Sequence, residues 1–266
     1  MKLQLGRPRR MARKTPARVP DGLALYAIGD VHGRADLLAP LLDALLEDAA
    51  GVERAVIVGL GDYVDRGPDS RGVVDLMLGL ANEPAIELRC LRGNHDQALV
   101  DFLADAELGP SWARHGGRET LASYGTPAPD DPRDMRAWRD TREAFAAALP
   151  DAHRDFFADL ALSYARGDYL FVHAGVRPGV ALDAQAARDL LWIREPFLTC
   201  VRPLEKLVVH GHTPSPRVHA DHRRIGLDTE AHASGVLSAC RLEGTERRVI
   251  QAVAGPGGVE IRLDAA

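Results

Sequence analysis

The sequence predicts an α/β domain built on parallel strands, and three observations carry that prediction. Three short polar segments, GDVHG over residues 29–33, GDYVDRG over 61–67 and GNHD over 93–96, recur evenly, with Asp30, Asp62 and Asn94 each 32 residues apart. That interval is about the length of one strand-helix-strand unit. Each segment follows an apolar run of strand-like composition, residues 23–28, 55–60 and 86–91. Between the runs, apolar residues recur at helical spacing. Polar residues placed in this way emerge together at the carboxyl ends of neighbouring parallel strands, where α/β sheets form their ligand sites.

The elements follow in order. Leu37, Leu38, Leu41, Leu42, Leu45 and Leu46 mark a helix over residues 35–48, and Val73, Val74, Met77, Leu78 and Ala81 share one face of a second. GNHD leads into a third helical segment, residues 97–104. Residues 108–165 break the rhythm, with a Gly/Pro/Asp-rich stretch at 125–134 flanked by helical segments that hold Trp112, Trp138, Phe145, Phe156 and Phe157. This part reads as a helical insertion, either a cap over the site or a scaffold excursion without a substrate role. The βα framework resumes with residues 169–172 running into His173-Ala174-Gly175, and with 207–209 running into His210-Gly211-His212-Thr213. Residues 235–242, 247–253 and 259–263 alternate as an antiparallel meander, expected to form or complete a second sheet packed on the first.

With 266 residues, 46% hydrophobic and 27% charged, the chain has the composition of a globular protein. One domain over residues 21–266 is expected. The net charge of −5 hides an asymmetry, since residues 1–20 carry seven Lys or Arg and no acid. The acidic remainder disfavours a general nucleic-acid binder. The basic stretch, with three prolines and no apolar core, reads as a disordered tail rather than a signal peptide, and Met11 is a second candidate start. No run approaches the ~20 apolar residues of a membrane span. Cys90, Cys200 and Cys240 are scattered, which suggests neither a disulfide framework nor a thiolate zinc site. A cytoplasmic location is expected on these grounds.

Asp30 and His32 can both turn toward one ion, and the two carboxylate oxygens of Asp62 can bridge it to a second. Asn94 offers an amide oxygen, while His173 and His212 supply imidazoles. Mixed oxygen and nitrogen ligation without thiolate suits Mn²⁺, Fe²⁺ or Zn²⁺. Two such ions would activate a shared water and clamp a phosphoryl group for in-line attack. Each residue has an ordinary explanation alone, as a turn acid or a satisfied core histidine. Together they fix more than a dozen positions, each matched by chance about once in twenty at average composition.

GDVHG, GDYVDRG, GNHD, HAG and HGHT, in this order, resemble the calcineurin-like metallophosphoesterases, and the DRG and GNHD forms resemble their PPP-type protein phosphatase branch. WARHGG at 112–117 and LLWIREP at 190–196 are most similar to its small bacterial and bacteriophage members. The resemblance spans about residues 23–230. It implies a four-layer αββα sandwich of two mixed sheets, with Asp30, His32 and Asp62 on one metal and Asp62, Asn94, His173 and His212 on the other, commonly Mn²⁺. It further implies that His95 is the general acid, oriented by Asp65, and that Arg66, with Asn94 and Arg194, binds the phosphate. His210 is an alternative ligand to His212. Asp228 is either a supporting acid or an ordinary turn residue.

Three functions follow as expectations: a protein phosphatase of serine/threonine or dual specificity; a dinucleoside polyphosphate hydrolase on the same site; and a catalytically silent binding module. Asp65 in GDYVDRG favours the first, because the sister hydrolases resemble GDLVNRG there. The partner expected is a phosphoprotein or a phosphorylated small molecule; the sequence leaves the oligomeric state open.

Overall fold

The computed structural model describes residues 16–265, so most of the expected basic tail lies outside the described residues. Its last residues are not a free extension. The Arg18 N–H donates to the Asp168 carboxylate at 2.9 Å, the Val19 N–H to the Gly244 carbonyl at 2.8 Å, and Val19 is fully buried. An apolar side chain with a place in the core ties this segment down.

The chain runs β1 (Leu23–Ile28), α1 (Ala35–Ala49), β2 (Arg54–Gly59), α2 (Ser70–Leu80), β3 (Ile86–Cys90) and α3 (Asn94–Ala104). The third helix starts three residues earlier than expected, so Asn94 and His95 occupy its first turn. The insertion contains α4 (Gly109–Trp112), a segment over Ala113–Gly117 kinked at Gly116, α5 (Arg118–Ser123), α6 (Met135–Ala148) and α7 (Asp151–Asp159). It ends before residue 165, because β4 (Ser163–Arg166) is already a strand. Then come β5 (Tyr169–Val172), α8 (Ala187–Trp192), β6 (Leu207–His210), β7 (His219–Ala220), β8 (Arg224–Gly226), α9 (Ala231–Ser234), β9 (Val236–Glu243), β10 (Glu246–Gly255) and β11 (Gly258–Ala265).

These strands form two mixed sheets, β11-β10-β9-β1-β2-β3 and β4-β5-β6-β8-β7. The meander does not build the second sheet, as the sequence had suggested. It extends the first, with β9 antiparallel to β1 and Ala24 opposite Glu243. The physical reason is that β1 is buried along its whole length. β2 covers one edge of β1, so the other edge must also be hydrogen-bonded, and β9 supplies the partner. The second sheet instead comes from the strands that carry His173 and His212.

Three apolar layers follow from the period-2 alternation of the strands. In β1, Ala24, Tyr26 and Ile28 face α1 and α2, whereas Leu23, Leu25 and Ala27 face Tyr169, Phe171 and Val209 of the second sheet. On the far side of that sheet, Leu170, Val172 and Val208 pack on Leu190, Ile193 and Phe197. The result is the four-layer arrangement expected, with all the polar loops at one end. Among the described residues, no helix is long and apolar enough to cross a membrane.

Candidate metal centre

The loops after β1, β2, β3, β5 and β6 converge because their backbones hold one another. The Asp62 carbonyl accepts the Val31 and His32 N–H groups at 3.1 and 2.9 Å, and Gly67 approaches the His32 carbonyl too closely for any side chain. Among the described residues, six non-glycine residues have positive φ, and five of them, His32, Asp62, Asp65, Arg66 and His212, belong to the expected site. Such strain persists only where surrounding structure over-determines it.

The histidine tautomers make a physical case for a cation. His173 Nδ1 lies 3.0 Å from the Leu60 carbonyl and His32 Nδ1 lies 2.9 Å from the Val64 carbonyl. A carbonyl only accepts, so each ring carries its proton at Nδ1 and presents a bare lone pair at Nε2. For His173 that lone pair lies 2.9 Å from Asn94 Oδ1, and both Nε2 atoms lie 3.5 Å from Asp62 Oδ2. Arg66 Nη1 offers the His32 lone pair a donor at 3.2 Å, but at His173 acceptor faces acceptor, and in a dry site these repel unless a positive ion lies between them. His212 adds a buried Nε2 without a hydrogen-bond partner, and its Nδ1 lies 2.8 Å from the same Asn94 oxygen. His32, Asp62 and His95 form one cluster of ligand atoms, and Asp62, His173 and His212 form another, each with its atoms within 4.8 Å. Asp62 is common to both, as a bridging carboxylate would be. Asp30 belongs to neither cluster. It accepts the His212 N–H at 3.2 and 3.0 Å from its two oxygens and lines the same pocket. The residues present therefore fit a pair of divalent ions with oxygen and nitrogen ligands.

Electrostatics agree. Burial lowers His32 and His212 to about 3, so both are neutral at ordinary pH, as a ligating imidazole must be. Burial raises Asp30 well above the usual carboxylate range, with the Asp228 and Asp62 charges adding to it, and Asp228 itself is raised to about 6. Carboxylates crowded out of water in this way gain most from a cation.

In the same cluster, His95 Nδ1 lies 2.7 Å from Asp65 Oδ2, and its Nε2 faces Arg66 Nη2 at 3.0 Å. Burial works to lower His95, but the Asp62 and Asp65 carboxylates outweigh it and raise its pKa. Arg66 Nη1 also lies 3.2 Å from His32 Nε2, so one guanidinium fork spans both groups. Arg194 reaches the centre from the other side, with Nη2 3.4 Å from the His212 carbonyl. These groups share a pocket of about 530 Å³ that is walled by Trp112, Leu108 and the half-exposed Trp192.

The structure thus brings together Asp30, His32, Asp62, Asp65, Arg66, Asn94, His95, His173, Arg194 and His212. His210 does not join them, because its Nδ1 faces the Gly211 carbonyl at 2.9 Å and its Nε2 accepts from Arg224 at 3.1 Å. Asp228 lines the pocket and accepts the Glu230 N–H at 2.9 Å. Sequence reasoning missed the parts played by Asp96, Trp112 and Thr120. Asp96 accepts the Asp62, Tyr63 and Gly93 N–H groups, while Trp112 and Thr120 both bond Asp65. The glycine pair at 116–117 was the available signal, since consecutive glycines inside a helical segment mark a close approach.

The sequence profile of the calcineurin-like phosphoesterases matches residues 23–237, from the first residue of β1 into β9, and so spans β1 to β8 and the whole cluster. The chain belongs to this family. Among curated calcineurin-like relatives, a symmetrical bis(5'-nucleosyl)-tetraphosphatase of Methylococcus capsulatus is 31% identical over 166 residues, 62% of this chain and 48% of the relative. Serine/threonine-protein phosphatase 1 of Salmonella typhimurium is 32% identical over 93 residues, 35% of this chain and 38% of the relative. The chain spans about half, or less, of the length of these relatives. A solved variant of a cold-active protein tyrosine phosphatase shares the fold, with a TM-score of 0.58 at 18% identity over 98% of this chain and 90% of that one.

Proposed function

We propose that this protein is a metal-dependent phosphomonoester hydrolase whose substrates are proteins phosphorylated on serine or threonine. The observation that carries the reading is the His95–Asp65 pair, 2.7 Å apart, with His95 Nε2 turned toward Arg66 at the metal-ligand cluster. An alkoxide is a far more basic leaving group than a nucleotide phosphate, and a positioned imidazolium is the group that such a departure needs. Asp30, His32 and Asp62 would hold one ion, and Asp62, Asn94, His173 and His212 a second, with Mn²⁺, Fe²⁺ or Zn²⁺ all compatible with these donors. A divalent pair there supplies Lewis-acid activation of water and neutralises phosphoryl charge. Arg66 and Arg194 grip the phosphate oxygens from opposite sides through charge-assisted hydrogen bonds, and His95 protonates the departing oxygen.

A second reading keeps the site and changes the substrate to a dinucleoside polyphosphate. Trp192 favours it: 52% exposed at the pocket wall and edge-on to His212 at 6.0 Å, it offers a face on which a nucleobase could stack. The test is Mn²⁺-supported turnover of a phosphoserine peptide beside diadenosine tetraphosphate, with His95→Ala as control. Faster peptide dephosphorylation that is abolished by the substitution supports the proposal, and preferred cleavage of the dinucleotide replaces it with the second reading. No turnover of either substrate at full metal occupancy leaves the silent binding module.

A further inference from the structure

The insertion reaches the centre of the site through one carboxylate. Asp65 is fully buried, and its two oxygens are shared among side chains from three helices. Oδ2 accepts from His95 Nδ1 on α3 at 2.7 Å and from Trp112 Nε1 on α4 at 2.8 Å, while Oδ1 accepts from Thr120 Oγ1 on α5 at 2.6 Å. The backbone N–H of Asp65, at φ 73°, is in turn accepted by Thr120 Oγ1 at 2.9 Å and by Ser70 Oγ at 3.1 Å. Thr120 therefore grips both ends of the same residue.

The kink at Gly116, between Trp112 and Thr120, makes this reach possible. It places the Gly116 carbonyl 3.1 Å from the Arg66 N–H, and a Cβ on Gly116 would lie 2.7 Å from that nitrogen. A Cβ on Gly117 would fall inside the Trp112 indole. The path of the chain around Asp65 and Arg66 is thus closed to side chains. Gly116, at φ 115°, is the kink at which the helical path breaks.

We infer that Trp112 and Thr120 are positioning residues, which fix the plane of the Asp65 carboxylate and through it aim His95 Nε2 at the leaving oxygen of the substrate. This rests on the hydrolase reading above. A carboxylate free to rotate offers His95 several lone-pair directions. With Trp112 on one oxygen and Thr120 on the other, one direction is left for the Nδ1 proton, and the opposite ring nitrogen is aimed along with it. In the step served, water adds to phosphorus and gives up a proton to the medium, and the bond from phosphorus to the leaving oxygen breaks. That oxygen takes the Nε2 proton, and the ring ends neutral, its Nδ1–H still donating to Asp65. Because the brace acts through proton delivery, its loss matters most for a basic leaving group.

The experiment compares kcat for a phosphoserine peptide with kcat for p-nitrophenyl phosphate, whose leaving group needs little protonation, in the Mn²⁺-loaded full-length chain. For Trp112→Phe and Thr120→Val the ratio of peptide to aryl turnover is expected to fall roughly tenfold, the scale of one hydrogen bond to a charged group. Thr120→Ser, which keeps the hydroxyl, should restore it. In a His95→Ala background, Trp112→Phe should lower the ratio no further. A second readout does not use turnover. At a pH high enough for the ring to be neutral, imidazole ¹⁵N signals of the Zn²⁺-loaded chain should show a single Nδ1–H tautomer for His95, and a mixture in both variants. Equal losses on both substrates, additive loss with His95→Ala or an unchanged tautomer would overturn the inference, and the Thr120 pair decides it if Trp112→Phe does not fold. Wild-type chain inactive on both substrates would defeat the hydrolase reading, and this inference's catalytic consequence with it. Wild-type turnover with a flat ratio defeats the inference alone.

Discussion

The Asp96 carboxylate holds Asp62 by its backbone: Asp96 Oδ2 accepts the Asp62 N–H at 2.8 Å, and Asp62 stays at a φ of 53°. The same oxygen takes the Gly93 N–H at 2.8 Å and Oδ1 takes the Tyr63 N–H at 3.0 Å, so one side chain pins GDYVDRG to GNHD. Asp96→Ala leaves three buried donors unpaired and frees a strained carboxylate. A loss of about 3 kcal/mol is expected, together with weaker metal binding. Urea unfolding and a metal titration of the variant check this, and an unchanged midpoint would refute it.

Metal binding should weaken in acid for a definable reason. His32 and His212, lowered to about 3 by burial, are already neutral and have no proton to release above that pH. Asp30 and Asp228 are raised in the folded chain, by burial and by neighbouring carboxylates, so below about 6 Asp228 holds a proton that an arriving cation must displace. Affinity is therefore present above that range and is lost as pH falls through it. Calorimetry at pH 5.5 in buffers of different ionisation enthalpy should detect released protons, fewer in Asp228→Asn. Identical release from the variant would show that the carboxylates are not responsible.

Local pattern made the loops and strands legible, and distance in sequence hid the rest. β1 matches its apolar run residue for residue, because a strand buried on both faces leaves no polar positions to blur its ends. The GDVHG and GDYVDRG loops were readable for a related reason, since each follows a buried strand, and GNHD by its interval from them. The pairing of β9 with β1 joins residues more than 200 positions apart, and alternation alone does not say which edge a meander will join. The bond from Trp112 to Asp65 spans 47 positions through an insertion without regular period, so its glycine pair was visible but its target was not.

Two glycines with opposite surroundings should respond oppositely to the same substitution. A Cβ on Gly211 would collide with Asp30 Oδ1, whereas one on Gly79 in α2 meets nothing within 4 Å. Gly211→Ala must push a candidate ligand aside, and metal affinity is expected to fall 10- to 100-fold, on the order of a supporting-shell defect. Gly79→Ala should stabilise the chain by about 0.5 to 1 kcal/mol, through lower backbone entropy in the unfolded state. Metal titrations and thermal melts of both variants test the pair. Equal metal affinity in Gly211→Ala and the parent would remove Asp30 from the ligand set.

His210 and His212 are two residues apart, and their substitution should separate stability from metal binding. His210 is 1% exposed, with Arg224 Nη1 3.1 Å from its Nε2 and the Gly211 carbonyl 2.9 Å from its Nδ1, so both nitrogens are used within the fold. Replacing it with alanine empties a buried position and leaves Arg224 short of an acceptor, at a cost of about 2 to 3 kcal/mol. The metal content per chain should stay the same. His212 has a buried Nε2 without a partner and an Nδ1 beside Asn94, so His212→Ala removes little that the metal-free fold uses. It should lower metal content toward one ion per chain and reduce turnover at least a hundredfold, with the unfolding midpoint of the metal-free chain nearly unmoved. Elemental analysis and denaturation of the two variants side by side give the answer, and the reverse pattern would transfer the ligand to His210.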